Sequence, residues 1–213
     1  MEIKPKILLI YTGGTIGMRR DAGGTLIPFD FSAMYEEIPS LRRLNVDIKV
    51  LTMTPIDSSN VMPSRWVELA EIIRDNYAQF DGFVVLHGTD TMSYTASALS
   101  FMFENLKKPV VFTGSQIPMG IMRTDGRENL ITAIEIAAAK HPDGTPIVPE
   151  VTIFFENCLL RGNRTTKSNA EGFNAFNTFN YPVLAHAGIH INYASQEHIL
   201  KPDPSKPMKP HFL

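Results

Sequence analysis

The sequence predicts an α/β fold, a largely parallel open sheet with helices on both faces, and three observations carry that prediction. Short apolar runs rich in branched residues recur along the chain: Ile7 to Tyr11, Val46 to Leu51, Phe83 to Leu86, Pro109 to Thr113 and Val151 to Phe155. Segments of helical periodicity lie between most of them, and strands joined by such crossovers run parallel beneath helices on both faces. The first four runs also end in loops rich in glycine, threonine, serine or aspartate. The crevice beyond the carboxyl ends of parallel strands is where open sheets bind ligands.

Taken in order, the first run opens directly into Thr12-Gly13-Gly14-Thr15-Ile16-Gly17, a tight turn whose glycines let backbone approach a ligand. Thr15 supplies a hydroxyl there, with three roles open to it: turn stabiliser, phosphate ligand or nucleophile. The spacing G-G-x-x-G fits neither G-x-G-x-x-G nor G-x-x-x-x-G-K-[ST], so the usual nucleotide mechanics are missing. Arg19 to Pro28, with charges, two glycines and a proline, reads as a mobile surface loop and a candidate lid. Asp30 to Leu44 reads as a helix broken at Pro39, and after the second strand comes the polar loop Thr54-Pro55-Ile56-Asp57-Ser58-Ser59-Asn60.

Pro63 suits a helix first turn, and Trp66, Leu69, Ala70, Ile73, Tyr77 and Phe80 follow the 3.6-residue stripe of a face packed on a sheet. The third strand leads into His87-Gly88-Thr89-Asp90-Thr91. From Met92 to Leu106 the chain is apolar on nearly all sides, which predicts a helix buried between layers or under another subunit, with Asp90 or Thr91 as its cap. Gly114-Ser115-Gln116-Ile117-Pro118 follows the fourth strand. Asp125 and Glu128 resemble a capping box for a helix over Leu130 to Lys140. After the fifth strand, Leu160 to Lys167 reads as a basic loop at the same edge. Two short strands are expected near Val183-Leu184 and Gly188 to Asn192, and the proline- and lysine-rich tail from Lys201 reads as a linker.

Composition narrows the function. A length of 213 residues suits one sizeable domain or a domain with a tail, and 44% hydrophobic with 20% charged residues is ordinary for a globular protein. Twenty basic against twenty-two acidic residues leave a formal charge of -2 with no long basic run, which disfavours nucleic acid as a ligand. The single Cys158 forms no intrachain disulfide, and the first apolar run is too short for a secretory signal. No stretch approaches the roughly eighteen apolar residues that span a bilayer. A cytoplasmic protein is expected.

The loops together supply two hydroxyls from separate strand ends, Thr15 and Thr89, with the Asp90 carboxylate and the Lys167 amine. Amide hydrolysis needs a nucleophile, a group that takes its proton and donors for the developing oxyanion. Asp57, Ser58 and Ser59 can grip the α-amino and α-carboxylate groups of an amino acid.

The two stretches Thr12-Gly13-Gly14-Thr15-Ile16-Gly17 and Gly82-Phe83-Val84-Val85-Leu86-His87-Gly88-Thr89-Asp90-Thr91-Met92 resemble the paired signatures of the bacterial-type L-asparaginases. With Asp57-Ser58-Ser59, the Gly114 to Pro118 loop and Arg161-Gly162-Asn163-Arg164-Thr165-Thr166-Lys167, the chain is most similar to the type I, cytoplasmic branch over about Ile7 to Ile191. The resemblance implies hydrolysis of L-asparagine to L-aspartate and ammonia, with Thr15 as nucleophile and Thr89, Asp90 and Lys167 as a second catalytic cluster. It implies substrate binding by Asp57, Ser58, Ser59, Thr89 and Asp90, and no metal or organic cofactor. His87 falls outside the catalytic set. A homo-oligomer, dimer or tetramer, is implied for the full-length protein.

Two departures follow. The tyrosine that many relatives carry in the lid loop is missing from Gly23-Gly24-Thr25-Leu26-Ile27-Pro28, so either Thr25 substitutes or a tyrosine arrives from elsewhere. The resemblance also leads one to expect a smaller C-terminal domain, which would lie beyond these 213 residues. Residues 1–192 would be the N-terminal catalytic domain and 193–213 the interdomain linker or tail, with the isolated domain weakly active or inactive. Alternatives are the glutamine-hydrolysing subunit of a tRNA amidotransferase, a non-catalytic amino-acid-binding module and a nucleotide-binding module.

Overall fold

The computed structural model describes residues 4–21, 23–28, 34–170 and 172–212. Strand β1 (Lys6–Tyr11) leads through a 3-10 turn, Thr15–Gly17, into a hairpin of β2 (Met18–Arg20) and β3 (Leu26–Pro28). A short helix α1 (Met34–Glu37) and a 3-10 turn at Pro39–Arg43 precede β4 (Asp47–Thr52). Helix α2 (Pro63–Asn76), β5 (Gly82–Leu86), α3 (Met92–Met102), β6 (Phe103–Glu104), β7 (Val110–Thr113), α4 (Gly126–Ala138) and β8 (Val151–Phe155) follow. The remainder holds β9 (Cys158–Arg161), β10 (Thr166–Lys167), β11 (Phe176–Asn177), β12 (Ala185–Ala187), β13 (Ile191–Tyr193) and β14 (Lys209–Pro210).

The main sheet has eight strands in the order β13-β12-β9-β8-β7-β5-β1-β4. From β4 through β8 every pairing is parallel, and β9, β12 and β13 extend the sheet antiparallel. The first parallel strand lies between the second and the third, so the connections diverge at β1 and β5. A crevice opens at that topological switch point.

Alternation along β1 explains the two-sided core. Ile7, Leu9 and Tyr11 face Leu130, Ala133, Ile134 and Ala137 of α4, with Met34, Ile38 and Leu41 beside them. Leu8 and Ile10 face Leu69, Ala70 and Ile73 of α2 and Met92, Ala96 and Leu99 of α3. Strands buried on both sides read as continuous apolar runs, which is why β1, β5, β7 and β8 stand out in the sequence, whereas β4 at the sheet edge alternates with exposed Asp47 and Lys49.

Several local expectations change. The candidate lid carries the β2 and β3 hairpin, at whose turn Asp21 Oδ1 accepts the Gly23 and Thr25 amides, each at 2.9 Å. The expected helix from Asp30 begins in residues outside those described, and from Met34 it divides at Pro39 as the ring requires. Helix α3 packs one face on the sheet and leaves Tyr94 65% and Phe101 72% exposed. Thr91 and Asp125 stand at the N-cap positions of α3 and α4 but do not cap through their side chains: the Thr91 hydroxyl donates to the Ser58 carbonyl at 2.7 Å, and Asp125 accepts the Gln116 and Ile117 amides. The two late strands lie a few residues beyond their expected positions. The tail docks: Lys209–Pro210 pairs with β6, and the Asn105 amide group bonds backbone of Asp203 and Lys206.

The basic loop after the fifth strand is the largest revision. Leu160 and Arg161 belong to β9, which turns back beside β8 so that Arg161 pairs with Thr152 at the opposite edge. The Arg161 charge is buried because it meets the Glu150 carboxylate at 2.6 and 3.0 Å and covers the Tyr181 ring at 4.2 Å. From Gly162 the chain climbs along α3, whose Ala96 carbonyl and Ser100 hydroxyl would crowd any larger side chain at that glycine. Lys167 therefore arrives at the carboxyl edge from below.

Candidate active site

Three loops meet at the switch point, and glycines allow the meeting. Gly13 and Gly14 take φ of +129° and +88°, in a region that L side chains rarely adopt. A Cβ at Gly13 would strike the Ile56 carbonyl, and one at Gly14 would lie 2.5 Å from Gly88 Cα. One at Gly88 would lie 2.6 Å from the Ser58 side chain. The loops after β1, β4 and β5 thus touch backbone to backbone, tied further by Thr12 Oγ1 donating to the Leu86 carbonyl at 2.9 Å.

Above this floor is a cleft of about 500 Å³ lined by Gly13, Gly14, Thr15, Asp57, Ser58, Gly88, Thr89, Asp90, Gln116 and Lys167, among others. A second hollow of about 260 Å³ lies at the other edge, around Glu150, Arg161 and Leu200. The cleft therefore collects Thr15, Asp57, Ser58, Thr89, Asp90 and Lys167 from four separate stretches of chain. Ser59 is exposed and is not on the cleft wall.

Lys167 is the centre of the polar wall. Its Nζ donates to Thr89 Oγ1 at 2.9 Å and to Asp90 Oδ1 at 2.7 Å. Its side chain is only 15% exposed, against 63% for Asp90, so the pair straddles the rim and one carboxylate oxygen stays open to solvent. The Thr89 hydroxyl donates to Gln116 Oε1 at 3.2 Å. Gln116 is held in turn by its Nε2 donating to the Ala170 and Gly172 carbonyls. For Thr89 to relay a proton elsewhere, its hydroxyl must rotate away from Gln116.

Asp57 and Ser59 form a local unit. Asp57 Oδ1 accepts the Ser59 amide at 2.9 Å and the Ser59 hydroxyl at 2.7 Å, and these two bonds hold the carboxyl below its ordinary range. Asp57 is thereby kept anionic and aimed, which suits an ammonium group. Ser59 acts through Asp57. Ser58 is 4% exposed and pressed against Gly88.

Thr15 opens the 3-10 turn, and among the described residues nothing hydrogen-bonds its side chain. Thr25, considered as a substitute for the missing lid tyrosine, sits exposed in the hairpin turn and does not line the cleft. Tyr11 does line it. Its buried ring packs over Gly17, and burial raises its phenol above the ordinary value, so Tyr11 is a neutral wall residue at physiological pH. The roles of Gln116 and Tyr11 were not visible in the sequence, although Gln116 lies in a strand-end loop of the same grammar as the others. Among the described residues no group of three or more His, Cys, Asp or Glu is placed to hold a metal ion.

What decides the family is a match over most of the chain: the family model described as Asparaginase, N-terminal, covers residues 6–198. The chain belongs to the asparaginase family. It is 49% identical over 191 residues to L-asparaginase 1 of Escherichia coli K12, covering 88% of this chain and 55% of that protein. It is 44% identical over 210 residues to the 60 kDa lysophospholipase of Mus musculus, covering 87% of this chain and 36% of that protein. The crystal structure of L-asparaginase I from Vibrio cholerae superposes with a TM-score of 0.86 at 43% identity, over 98% of this chain and 61% of that one. The chain thus spans about half the length of the asparaginases it matches. The expected fold, the N-terminal domain of this family, is the one observed.

Proposed function

We propose that the protein carrying this chain is an L-asparaginase, hydrolysing L-asparagine to L-aspartate and ammonia in the cleft at the β1/β5 switch point. One observation carries the reading: Lys167 Nζ bonds both Thr89 Oγ1 and Asp90 Oδ1 on a wall facing the cleft that Thr15 also lines. In this reading the Thr15 oxygen attacks the side-chain amide carbon. The carbon–nitrogen bond breaks as the hydroxyl proton is delivered, with the Thr89-Lys167 pair as relay, to the departing nitrogen, and ammonia leaves. Water then cleaves the aspartyl ester and returns a proton to Thr15. Asp57 and Asp90 face the substrate ammonium, and Ser58 with the loop amides faces its carboxylate.

The rest of the reading rests on the family likeness. Residues 1–192 act as the nucleophile-bearing N-terminal domain and 193–213 as the segment leading onward. The working enzyme is a homo-oligomer in the cytoplasm; no helix among the described residues is long and apolar enough to cross a membrane. The test is ammonia release from L-asparagine by the full-length protein, with a lysophospholipid, the substrate in the mouse relative's name, as the competing substrate. Loss of release in both Thr15→Ala and Thr89→Val supports the reading. Turnover retained in both, or turnover of the lysophospholipid alone, overturns it.

A further inference from the structure

Beneath the cleft floor one hydrogen-bonded chain runs from helix α2 to the peptide that precedes Thr89. Trp66 Nε1 donates to Thr95 Oγ1 at 3.1 Å, Thr95 Oγ1 lies 3.0 Å from His87 Nε2, and His87 Nδ1 lies 2.8 Å from the Gly88 carbonyl oxygen. The proton positions follow from chemistry. An indole only donates and a carbonyl only accepts, so Nδ1 carries the ring proton and Nε2 takes the hydroxyl proton of Thr95. His87 is 3% exposed and Thr95 2%. Burial lowers the His87 pKa to about 4, so the ring stays neutral and the direction Trp66 to Thr95 to His87 to Gly88 is fixed at physiological pH.

The consequence lies one bond further on. Among the described residues no peptide bond is cis, and in a trans peptide the C=O and N–H point in opposite directions. With the Gly88 carbonyl turned toward the buried imidazole, the Thr89 N–H of the same peptide turns away from it, on the segment where Gly88 and Thr89 line the cleft. Among the described residues no acceptor takes the Thr89 amide proton. A backbone donor left open beside a polar cleft and held from behind is the arrangement that stabilises a developing anionic oxygen.

We propose that His87 is a positioning residue for the amide hydrolysis proposed above: by gripping the Gly88 carbonyl it fixes the Gly88–Thr89 peptide, presents the Thr89 amide to a substrate oxygen and keeps Thr89 Oγ1 within reach of Lys167. Trp66 and Thr95 hold the ring in the tautomer that does this. The inference rests on the asparaginase reading for its substrate and on the buried chain for its geometry.

The test compares His87→Phe, which keeps an aromatic ring and loses the donor, with His87→Asn, whose amide nitrogen can occupy the Nδ1 position. Both are assayed in the full-length protein after thermal melts establish the folded fraction. The expected result is a fall in kcat of about 10- to 100-fold for His87→Phe with a smaller change in KM, largely recovered in His87→Asn. A folded His87→Phe with kcat within twofold of wild type, or an Asn variant no better than Phe, overturns the proposal. Wild-type protein that releases no ammonia overturns the functional reading instead. NMR then decides the positioning claim: a neutral imidazole protonated at Nδ1, with a Thr89 amide signal displaced in His87→Phe and restored in His87→Asn, supports it, and any other tautomer or an undisplaced signal refutes it.

Discussion

Two glycines separate what this site requires from what the fold merely tolerates. Gly88 takes an ordinary φ, yet a Cβ there would stand 2.6 Å from both Cβ and Oγ of Ser58, where 3.4–4 Å is ordinary contact. Gly88→Ala must therefore push the β4 and β5 loops apart by roughly 1 Å, a misplacement that costs on the order of a hundredfold in kcat/KM. Overpacking of this size costs about 1–3 kcal/mol of stability. Gly144 is the opposite case, with φ of +85° and nothing within 4 Å of an added Cβ. Gly144→Ala should lose about 1–2 kcal/mol through backbone strain alone and leave turnover of the folded protein unchanged. Ammonia release and chemical denaturation of both variants in the full-length protein decide the matter. Gly88→Ala with near wild-type kcat/KM would refute the claim that direct contact between these loops sets the active geometry.

Lys167→Met should lower turnover by about 10²- to 10⁴-fold, and Lys167→Arg should not restore it, because a planar fork does not reproduce the two contacts of Nζ; near wild-type rates from Lys167→Arg would count against a compact amine at this position. Ser59→Ala removes the 2.7 Å hydroxyl bond to Asp57, so the carboxyl pKa should rise toward its ordinary value and the ionised form should be lost at higher pH. The acid limb of kcat/KM against pH then moves upward, and an unmoved limb would show that Asp57 does not bind as a carboxylate. Arg161→Met strands the buried Glu150 carboxylate and should cost about 3–5 kcal/mol in urea denaturation, much of it recovered when Glu150→Leu is added. A single variant as stable as wild type would mean that the pair does not hold the β8 and β9 hairpin.

How much of this was legible depended on whether the cause was local. The run Ile7 to Tyr11 and the turn at Thr15 could be read directly, because a strand buried on both faces is continuously apolar and a turn with φ above zero demands glycine. The same holds for Asp57, Thr89 and Asp90, each at the carboxyl end of a parallel strand. Lys167 also arrives at that edge, but by a route the sequence did not reveal. Arg161 looks like surface until Glu150, paired across a hairpin, explains its burial. The docked tail was hidden for a similar reason: a proline-rich segment reads as linker unless Asn105, about a hundred positions earlier, is known to bind its backbone. The bonds from Ser59 to Asp57 and from Thr89 to Gln116 were equally silent, since motif spacing brings residues together without stating which way a hydroxyl points.

The central claim is that the Thr15 oxygen forms the bond to substrate. Rapid acid quench of the full-length protein during turnover of L-asparagine, followed by peptide mass spectrometry, tests it most directly. An aspartyl group on the peptide that contains Thr15, lost in Thr15→Ala together with ammonia release, is the predicted result. An aspartyl group carried by Thr89 instead, or steady ammonia release from Thr15→Ala, would contradict it.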